Sequence, residues 1–310
     1  MNEKGRIAIV GTGLIGGGWA LHFLRLGYGV SAHDPAEGAE ARLRDMVARD
    51  WPSMERLGLA EGANRDRLAF HDSLAGALEG AEAVLECAPE RLEVKQALFE
   101  EIDRIAPRHV LLFSCTSSFT ISDIRVRTRN PERCLLGHPF NPPHILPLVE
   151  IAGGSRESEP VRRAMEFWEV AGKVPVHLRK ELPGHLVNRL TAALFREAVH
   201  LIAEDVADVE DIDKAIAFGP GPRLALAGPF MNYHLGGGAG GIEHYMRHLG
   251  PSQVARWKSL GDPDLTEEVA GKIIEGVKRE TAGRSIAELV AERDEGLLRL
   301  LETVKAPRQE

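Results

Sequence analysis

The fold is decided by the stretch RIAIVGTGLIG, residues 6–16. Its first five residues form an apolar run that predicts a buried strand, and a G-x-G-x-x-G motif follows directly. An apolar segment, residues 19–26, predicts the helix that this motif opens, and a second predicted strand, residues 30–34, ends on Asp34. A lone G-x-G-x-x-G is weak evidence, but a strand before it, a helix after it and an acid at the end of the next strand are typical of dinucleotide-binding domains.

Each part of this motif has a physical task. Gly11 permits the tight turn, Gly13 lets the backbone approach a pyrophosphate, and Gly16 lets helix and strand pack closely. The helix N-terminus offers unpaired N–H groups to the phosphates. Because Asp34 can accept both ribose hydroxyls and would repel a 2′-phosphate, the cofactor predicted is NAD rather than NADP. The predicted cofactor contacts in this stretch are Gly11, Gly13, Leu14, Ile15, Gly16 and Asp34.

Alternating strands and helices continue to residue 178, which predicts a Rossmann-type α/β fold with one doubly wound, mainly parallel sheet. After a Pro-Gly break the periodicity becomes helical almost throughout, beginning with a long predicted helix at residues 185–207. We therefore predict a NAD-binding domain of residues 1–182 and an all-helical domain of residues 183–310. Helical domains attached to dinucleotide domains often supply substrate and subunit contacts.

Composition narrows the possible partners. The 310 residues carry a net charge of −8 without a block of Lys and Arg, which argues against nucleic acid or an anionic membrane. The three cysteines, Cys87, Cys115 and Cys134, lie in apolar runs without a C-x-x-C pair, as expected of small buried side chains in a reducing compartment. No apolar run approaches the ~20 residues that span a bilayer. We expect a cytoplasmic protein, and no metal site is predicted.

A second informative stretch is GHPFNPPHILPLVE, residues 137–150. It presents His138 at the end of an apolar run, continues through a proline-rich turn and ends on Glu150. The prolines fix φ and remove backbone donors, so the turn is stiff. A stiff turn with Glu150 able to fold back onto His138 suits a general base and the residue that orients it. The alternative, a structural histidine in a proline-rich connection, is favoured by this stretch alone.

Other elements place polar residues where they could join such a site. Glu90 and Lys95 follow the predicted strand of residues 83–88, at the carboxyl end where α/β sheets bind ligands. Ser117 follows the next strand, and Asn188 lies in the first turns of the long helix, where Asn is unfavourable without a task. The alternatives are a solvated helix start for Glu90 and Lys95 and a helix cap for Ser117.

Together these motifs resemble the L-3-hydroxyacyl-CoA dehydrogenase superfamily over nearly the full chain. The resemblance rests on Gly11, Gly13, Gly16 and Asp34, on Thr116, Ser117 and Ser118, on His138 to Pro142 with Glu150, and on Pro183 and Gly184 with Asn188. It implies that His138 is the catalytic base and that Glu150 orients it. It also implies that Ser117 and Asn188 contact the reacting oxygen and the substrate, that Asn141 lies near the nicotinamide, and that the protein is a homodimer.

The C-terminal half is more similar to the branch of L-gulonate 3-dehydrogenase (lambda-crystallin) and L-carnitine dehydrogenase, with carnitine dehydrogenase the closer match. The similar segments are residues 219–230 and 234–241. Arg223 is the candidate for binding a substrate carboxylate, since guanidinium binds carboxylates bidentately, and the alternative is a surface arginine at a helix end. Leu224 departs from the branch, which usually has an aromatic residue there.

This departure matters because aromatic faces are the best holders of a quaternary ammonium group. Trp19, Tyr233, Tyr245 and Phe230 are the candidates to replace the missing aromatic residue, and core packing is the alternative explanation for each.

The expected function is NAD-dependent oxidation of the 3-hydroxyl of a short, carnitine-like L-3-hydroxy acid to the 3-keto acid. The alternatives are an L-3-hydroxyacyl-CoA dehydrogenase, an L-gulonate 3-dehydrogenase, or a crystallin-like structural or nucleotide-sensing protein. Acidic residues in the predicted helix of residues 37–59 argue against CoA, whose phosphates would be better served by a Lys-rich surface.

Overall fold

A computed structural model describes residues 4–304 of the chain. The described residues divide into two compact units, the first ending at Asn188 and the second beginning at Arg189. No helix within residues 4–304 is both long enough and apolar enough to cross a membrane.

The first unit is built on an eight-stranded sheet with strand order β3-β2-β1-β4-β5-β6-β7-β8. The strands are β1 (Arg6–Val10), β2 (Gly29–His33), β3 (Leu68–Phe70), β4 (Ala81–Glu86), β5 (Leu111–Ser114), β6 (Cys134–Pro139), β7 (Leu148–Ala152) and β8 (Val174–His177). All neighbouring strands are parallel except β6 and β7, which are antiparallel. The predicted α/β class and the mainly parallel sheet are confirmed.

Helices cover both faces of this sheet. They are α1 (Leu14–Arg25), α2 (Ala39–Arg56), α3 (Leu74–Leu78), α4 (Leu92–Ile105), α5 (Ile121–Ile124) and α6 (Glu159–Val170). Alternate residues of β1 serve the two cores: Ile7 and Ile9 join one cluster with α1, α2 and α6, whereas Ala8 and Val10 join the other with α3, α4 and α5. This two-sided burial explains why the strands are apolar runs rather than alternating patterns.

Where β1 leads into α1, Gly11 and Gly16 have no room for a side chain. Gly11 has a φ of 91°, and a Cβ on it would lie 2.6 Å from the carbonyl carbon of Cys87. A Cβ on Gly16 would lie 2.0 Å from the carbonyl oxygen of Gly11, so the close approach of helix and strand requires glycine there. Helix α1 begins at Leu14, five residues before the predicted start, because tertiary packing overrides the low helix propensity of its glycines.

The second unit consists of helices and short connections in its described part. The helices are α7 (Val187–Ala203), which begins at the end of the first unit, α8 (Val209–Phe218), α9 (Pro220–Leu226), α10 (Pro229–Gly236), α11 (Gly241–His248), α12 (Gly250–Trp257), α13 (Glu267–Thr281) and α14 (Ile286–Thr303). The predicted helical character of this half is confirmed. The boundary at residues 182 and 183 stays a prediction.

Candidate active site

The centre of the site is a buried His–Glu pair on neighbouring strands. β6 and β7 are antiparallel and register His138 directly opposite Glu150. The Nδ1 atom of His138 lies 2.7 Å from Oε2 of Glu150, and the residues are 5% and 1% exposed. Because an ionised carboxylate only accepts hydrogen bonds, Nδ1 carries the proton. The neutral imidazole is therefore left with Nε2 as its basic nitrogen.

The other oxygen of Glu150 is held by backbone. Oε1 accepts the N–H of Leu186 at 2.8 Å and that of Val187 at 3.0 Å, at the start of α7. Burial raises the pKa of Glu150, but the hydrogen bonds from His138, Val187 and Leu186 outweigh it, and the pKa lies below its ordinary value. Glu150 therefore stays charged at neutral pH and can stabilise a protonated His138.

The loop after β5 is fastened by Glu90. Oε1 of this carboxylate accepts the hydroxyl of Thr116 at 2.5 Å, the N–H of Ser117 at 3.0 Å and that of Ser118 at 2.9 Å. From α7, Nδ2 of Asn188 donates to the carbonyl oxygen of Ser117 at 3.4 Å. Ser117 and Asn188, predicted to contact the same oxygen atom, therefore lie side by side.

Behind this loop lies a buried ion pair that the sequence did not predict. Nζ of Lys95 is 2.8 Å from Oε1 of Glu86, 3.4 Å from Oε2 of Glu90 and 3.1 Å from the carbonyl oxygen of Ala88. Ser114 donates to the other oxygen of Glu86 at 2.6 Å. The signal was Glu86, the one carboxylate in the apolar run of residues 83–88, which requires a partner when buried. Lys95 thus holds two carboxylates, and Glu90, although exposed, is bonded to Lys95 and to the loop after β5.

A cavity of about 300 Å³ brings together seven of the predicted site residues. It is lined by Ile15, Cys87, Ala88, Glu90, Lys95, Cys115, Ser117, His138, Pro139, Phe140, Asn141 and Asn188. Most of these residues follow the glycine-rich turn or the carboxyl ends of β4, β5 and β6, the place where open α/β sheets bind ligands. Lys95 is on α4 and Asn188 on α7. The structure therefore unites at one cavity residues that lie far apart in sequence.

The predicted NAD contacts outside the cavity also fit a dinucleotide. A Cβ on Gly13 would meet no atom within 4 Å, and helix α1 starts at Leu14 without a side-chain cap on its first N–H groups. Asp34 follows β2 directly. Its Oδ2 accepts the N–H and hydroxyl of Thr12 at 2.7 and 3.1 Å, and Oδ1 accepts the N–H of Ala36 at 2.9 Å. The carboxylate is thus held in place beside the glycine-rich turn.

One predicted aromatic candidate belongs to the core. Trp19 is fully buried, its ring centroid lies 4.8 Å from that of Trp168, and its Nε1 donates to Sγ of Cys115 at 3.3 Å. Trp19 therefore presents no face to a substrate, and the core-packing alternative is correct for it.

The remaining substrate candidates lie in the second unit. Arg223 and Leu224 are exposed on α9. Phe230 is 77% exposed on α10, and Tyr233 packs on Tyr245 with ring centroids 4.8 Å apart. Tyr245 is 6% exposed, so its ring packs against Tyr233 and is largely inaccessible to a ligand.

Comparison with known proteins gives matches over nearly the whole chain. The family model for the 3-hydroxyacyl-CoA dehydrogenase NAD-binding domain matches residues 6–182, and the one for the C-terminal domain of the same enzymes matches residues 184–272. An L-carnitine dehydrogenase of Streptomyces coelicolor is 46% identical over 96% of this chain and 93% of its own. One of Pseudomonas aeruginosa is 44% identical over 98% of this chain and 95% of its own.

Among solved structures, the chain is similar to 5-formyl-3-hydroxy-2-methylpyridine 4-carboxylic acid 5-dehydrogenase, described as an NAD⁺-dependent dismutase. The TM-score is 0.81 at 27% identity, with 97% of this chain and 98% of that one covered.

Proposed function

The chain belongs to the 3-hydroxyacyl-CoA dehydrogenase family, and we propose that it oxidises the 3-hydroxyl group of L-carnitine or a closely similar short L-3-hydroxy acid. It is an NAD-dependent dehydrogenase of a CH–OH group. The relatives of nearly equal length that are named L-carnitine dehydrogenases support the choice of substrate. The observation that carries the chemistry is the buried pair of His138 and Glu150 at the cavity.

In this mechanism Nε2 of His138 accepts the proton of the substrate 3-hydroxyl. Glu150 keeps the proton on Nδ1, fixes the ring and stabilises the imidazolium that forms. The hydroxyl of Ser117 and the amide of Asn188 donate to the same oxygen, which gains negative charge in the carbonyl-reducing direction. NAD, when bound, supplies the hydride acceptor. Gly11, Gly13, Asp34 and Asn141 would hold it, with Leu14, Ile15, Gly16, Glu90 and Lys95 around them.

The surface of α2 supports a short acid over a CoA thioester. Arg44 pairs with Glu40 at 2.8 Å and Arg49 with Asp50 at 2.7 Å. Arg42 donates to the carbonyl oxygen of Glu37 at 2.8 Å. These three arginines are already engaged by neighbours on their own helix or at its start, so α2 is a poor docking site for the phosphates of CoA.

In the second unit we keep Arg223 as the contact for the substrate carboxylate. Of the aromatic candidates predicted for the trimethylammonium group, Phe230 and Tyr233 are exposed, and we keep these two for that role. Leu224 then needs no cation-binding role.

We also infer a homodimer, formed through the second unit. Its surface exposes large apolar side chains, among them Phe195 at 59% and Phe218 at 83%. A groove of about 950 Å³ lies between α7 and α8, with Leu194, Leu201 and Ile216 in its lining. Contiguous apolar surfaces of this kind mark association sites on soluble proteins. A cytoplasmic location stays a prediction, supported by the free thiols of all three cysteines.

The substrate is tested by NADH absorbance with a panel of L-carnitine, D-carnitine, L-gulonate, L-3-hydroxybutyrate and L-3-hydroxybutyryl-CoA. We expect L-carnitine to give the highest kcat/KM, at least about tenfold above every other compound. A preference for L-gulonate or the CoA thioester would overturn the substrate assignment. Absence of turnover with the whole panel, in protein that binds NADH, would favour the non-enzymatic alternative.

A further inference from the structure

His185 is a buried histidine beside the candidate site, and the proposed mechanism assigns it no role. It is 2% exposed and has a φ of 51°, directly after Gly184 with a φ of 75°. The other described non-glycine residues with positive φ, Asp205 and Ala282, follow helix C-termini, where this conformation is common. His185 instead precedes a helix. A left-handed non-glycine residue is strained, and such strain collects at functional sites.

The ring of His185 joins two parts of the site. Its Nε2 lies 2.8 Å from the carbonyl oxygen of Thr116, next to Ser117. Since a carbonyl only accepts, Nε2 carries a proton. The ring centroid lies 4.8 Å from that of His138, with the planes tilted by 52°. His185 is therefore wedged between the serine loop and the imidazole of the proposed base.

The left-handed backbone has a second consequence. It turns the chain so that the next two N–H groups, of Leu186 and Val187, both donate to Oε1 of Glu150. Three residues after His185, Asn188 donates to the carbonyl oxygen of Ser117. One short segment thus contacts His138, Glu150 and the loop that carries Ser117, and it supplies Asn188.

We propose that His185 is a positioning residue, a neutral imidazole that fixes His138 and the Ser117 loop relative to each other. This inference rests on the proposed function, in which His138 is the base. Displacement of a reacting group by about 1 Å can lower the rate on the order of 10²-fold. Loss of the contact between His185 and His138 should therefore lower kcat.

The charge state of His185 agrees with this role. Burial lowers its pKa, against the opposing effect of its hydrogen bond to Thr116, and the pKa lies below the ordinary histidine value. The titratable groups around it are His138 on β6, Glu150 on β7 and Glu90 before α4. A neutral His185 places no second cation beside the imidazolium that His138 becomes.

The test compares His185→Phe, which keeps a ring but loses the donor, with His185→Gln, which keeps an N–H donor at similar reach. His177→Phe is the matched control, because Nε2 of His177 also bonds a backbone carbonyl, that of Gly154, at 3.0 Å. We expect His185→Phe to lower kcat with L-carnitine about 10- to 100-fold, with KM and the NADH Kd within about threefold of wild type. His185→Gln should recover most of kcat.

The acid limb of kcat/KM provides a second readout. We expect a slope of one proton in wild type and in His185→Phe, since only one group should titrate. Equal kcat in wild type and His185→Phe, equal losses in the Phe and Gln variants, or a two-proton slope that becomes one in His185→Phe would each overturn the proposal.

A measurement without turnover separates this inference from the proposed function. In ¹⁵N-histidine-labelled protein, the Nδ1–H proton of His138 should give a downfield signal, assigned with His138→Ala. We expect His185→Phe to shift or broaden it and His177→Phe to leave it unchanged. An unchanged signal in His185→Phe would overturn the positioning role. If His138→Ala kept wild-type turnover, the proposed function would fail whatever this signal does.

Discussion

At the scale of the residue, the proposed mechanism divides one task between His138 and Glu150. In this proposal the histidine is the proton acceptor, and the carboxylate, which bonds Nδ1, leaves Nε2 free to accept. The proline-rich turn between them is what makes this division possible, because it reverses the chain and brings the two residues into register on adjacent strands. The residues of this stretch alone left the role of the histidine undecided, because pairing across antiparallel strands is not apparent until the register is known. The role of base came from the resemblance of the whole set of motifs to the family.

The clearest residue-scale prediction concerns this pair. We expect His138→Ala to lower kcat about 10²–10⁴-fold, the usual contribution of a general base, and Glu150→Gln to lower it about 10²-fold or more because the wrong tautomer becomes accessible. Both are measured by NADH formation, with His109→Ala, an exposed histidine of the same unit, as the control. Wild-type rates in His138→Ala would exclude it as the base.

At the scale of the element, the glycine-rich turn between β1 and α1 leads to Gly16, which the fold requires, and contains Gly13, which we assign to cofactor binding. Gly16→Ala should destabilise the protein by about 1–3 kcal/mol, since its Cβ would lie 2.0 Å from the carbonyl oxygen of Gly11. Gly13→Ala meets open space, so we expect near-normal stability and an NADH Kd raised about tenfold or more as the methyl group enters the proposed pyrophosphate site. Urea unfolding and fluorescence titration measure the two effects. Tight NADH binding by Gly13→Ala would remove this residue from the site.

A second element-scale prediction concerns the buried ion pair between α4 and the chain before β6. Oδ1 of Asp103 lies 2.7 Å from Nη2 of Arg133, and Oδ2 accepts the N–H of Arg129 at 2.6 Å. Burial raises the pKa of Asp103, but the bonds from Arg133 and Asn130 outweigh it, and the pKa is lowered. A lowered carboxyl pKa stabilises the fold above the unfolded-state pKa of about 3.9, and this stability is lost as pH falls through the folded-state value.

Asp103→Asn should therefore cost about 3–5 kcal/mol at pH 7, because it leaves a buried guanidinium without its anion. The difference from wild type should shrink as the pH falls from about 4 through the lowered folded-state pKa, because the unfolded wild-type chain takes up the proton first. Urea unfolding across pH measures this. Asp72→Asn, at an exposed site, is the control with a change within about 0.5 kcal/mol. A difference that stayed constant with pH would contradict the assignment.

The limits of prediction also show at the scale of the element. The long helix was predicted from His185, but α7 begins at Val187, because the left-handed His185 cannot continue a helix. Helices α9 and α12 were not predicted, since their Gly-Pro starts have the composition of loops. In the structure these prolines occupy first-turn positions, where the missing N–H costs nothing. Hydrophobic periodicity locates the elements of the core well. It does not decide where a Gly-Pro pair can either begin a helix or mark a loop.

At the scale of the whole molecule, the fold of the first unit was predictable because strands that are buried on both faces of the sheet consist of consecutive apolar residues. The residues of the cavity were mostly predictable too, since they follow the carboxyl ends of these strands. Glu86 and His185 were not, because their roles depend on contacts between residues far apart in the chain. The second unit was predictable only as helical, and its exposed apolar side chains became apparent only once the helices were in place.

Those exposed side chains lead to a prediction about assembly. Because Phe218 is 83% exposed and lines the groove between α7 and α8, Phe218→Glu should leave the fold intact but place a charge in the inferred dimer interface. We expect wild-type protein to sediment at twice the 33.9 kDa chain mass and Phe218→Glu to raise the dimer Kd about 10²-fold or more, since an unpaired buried charge is costly. Val170→Glu, at a 66% exposed apolar site of the first unit, is the matched control and should remain dimeric. A monomeric wild-type protein at micromolar concentration, or a Phe218→Glu variant as dimeric as the control, would mean that this groove serves another purpose than self-association.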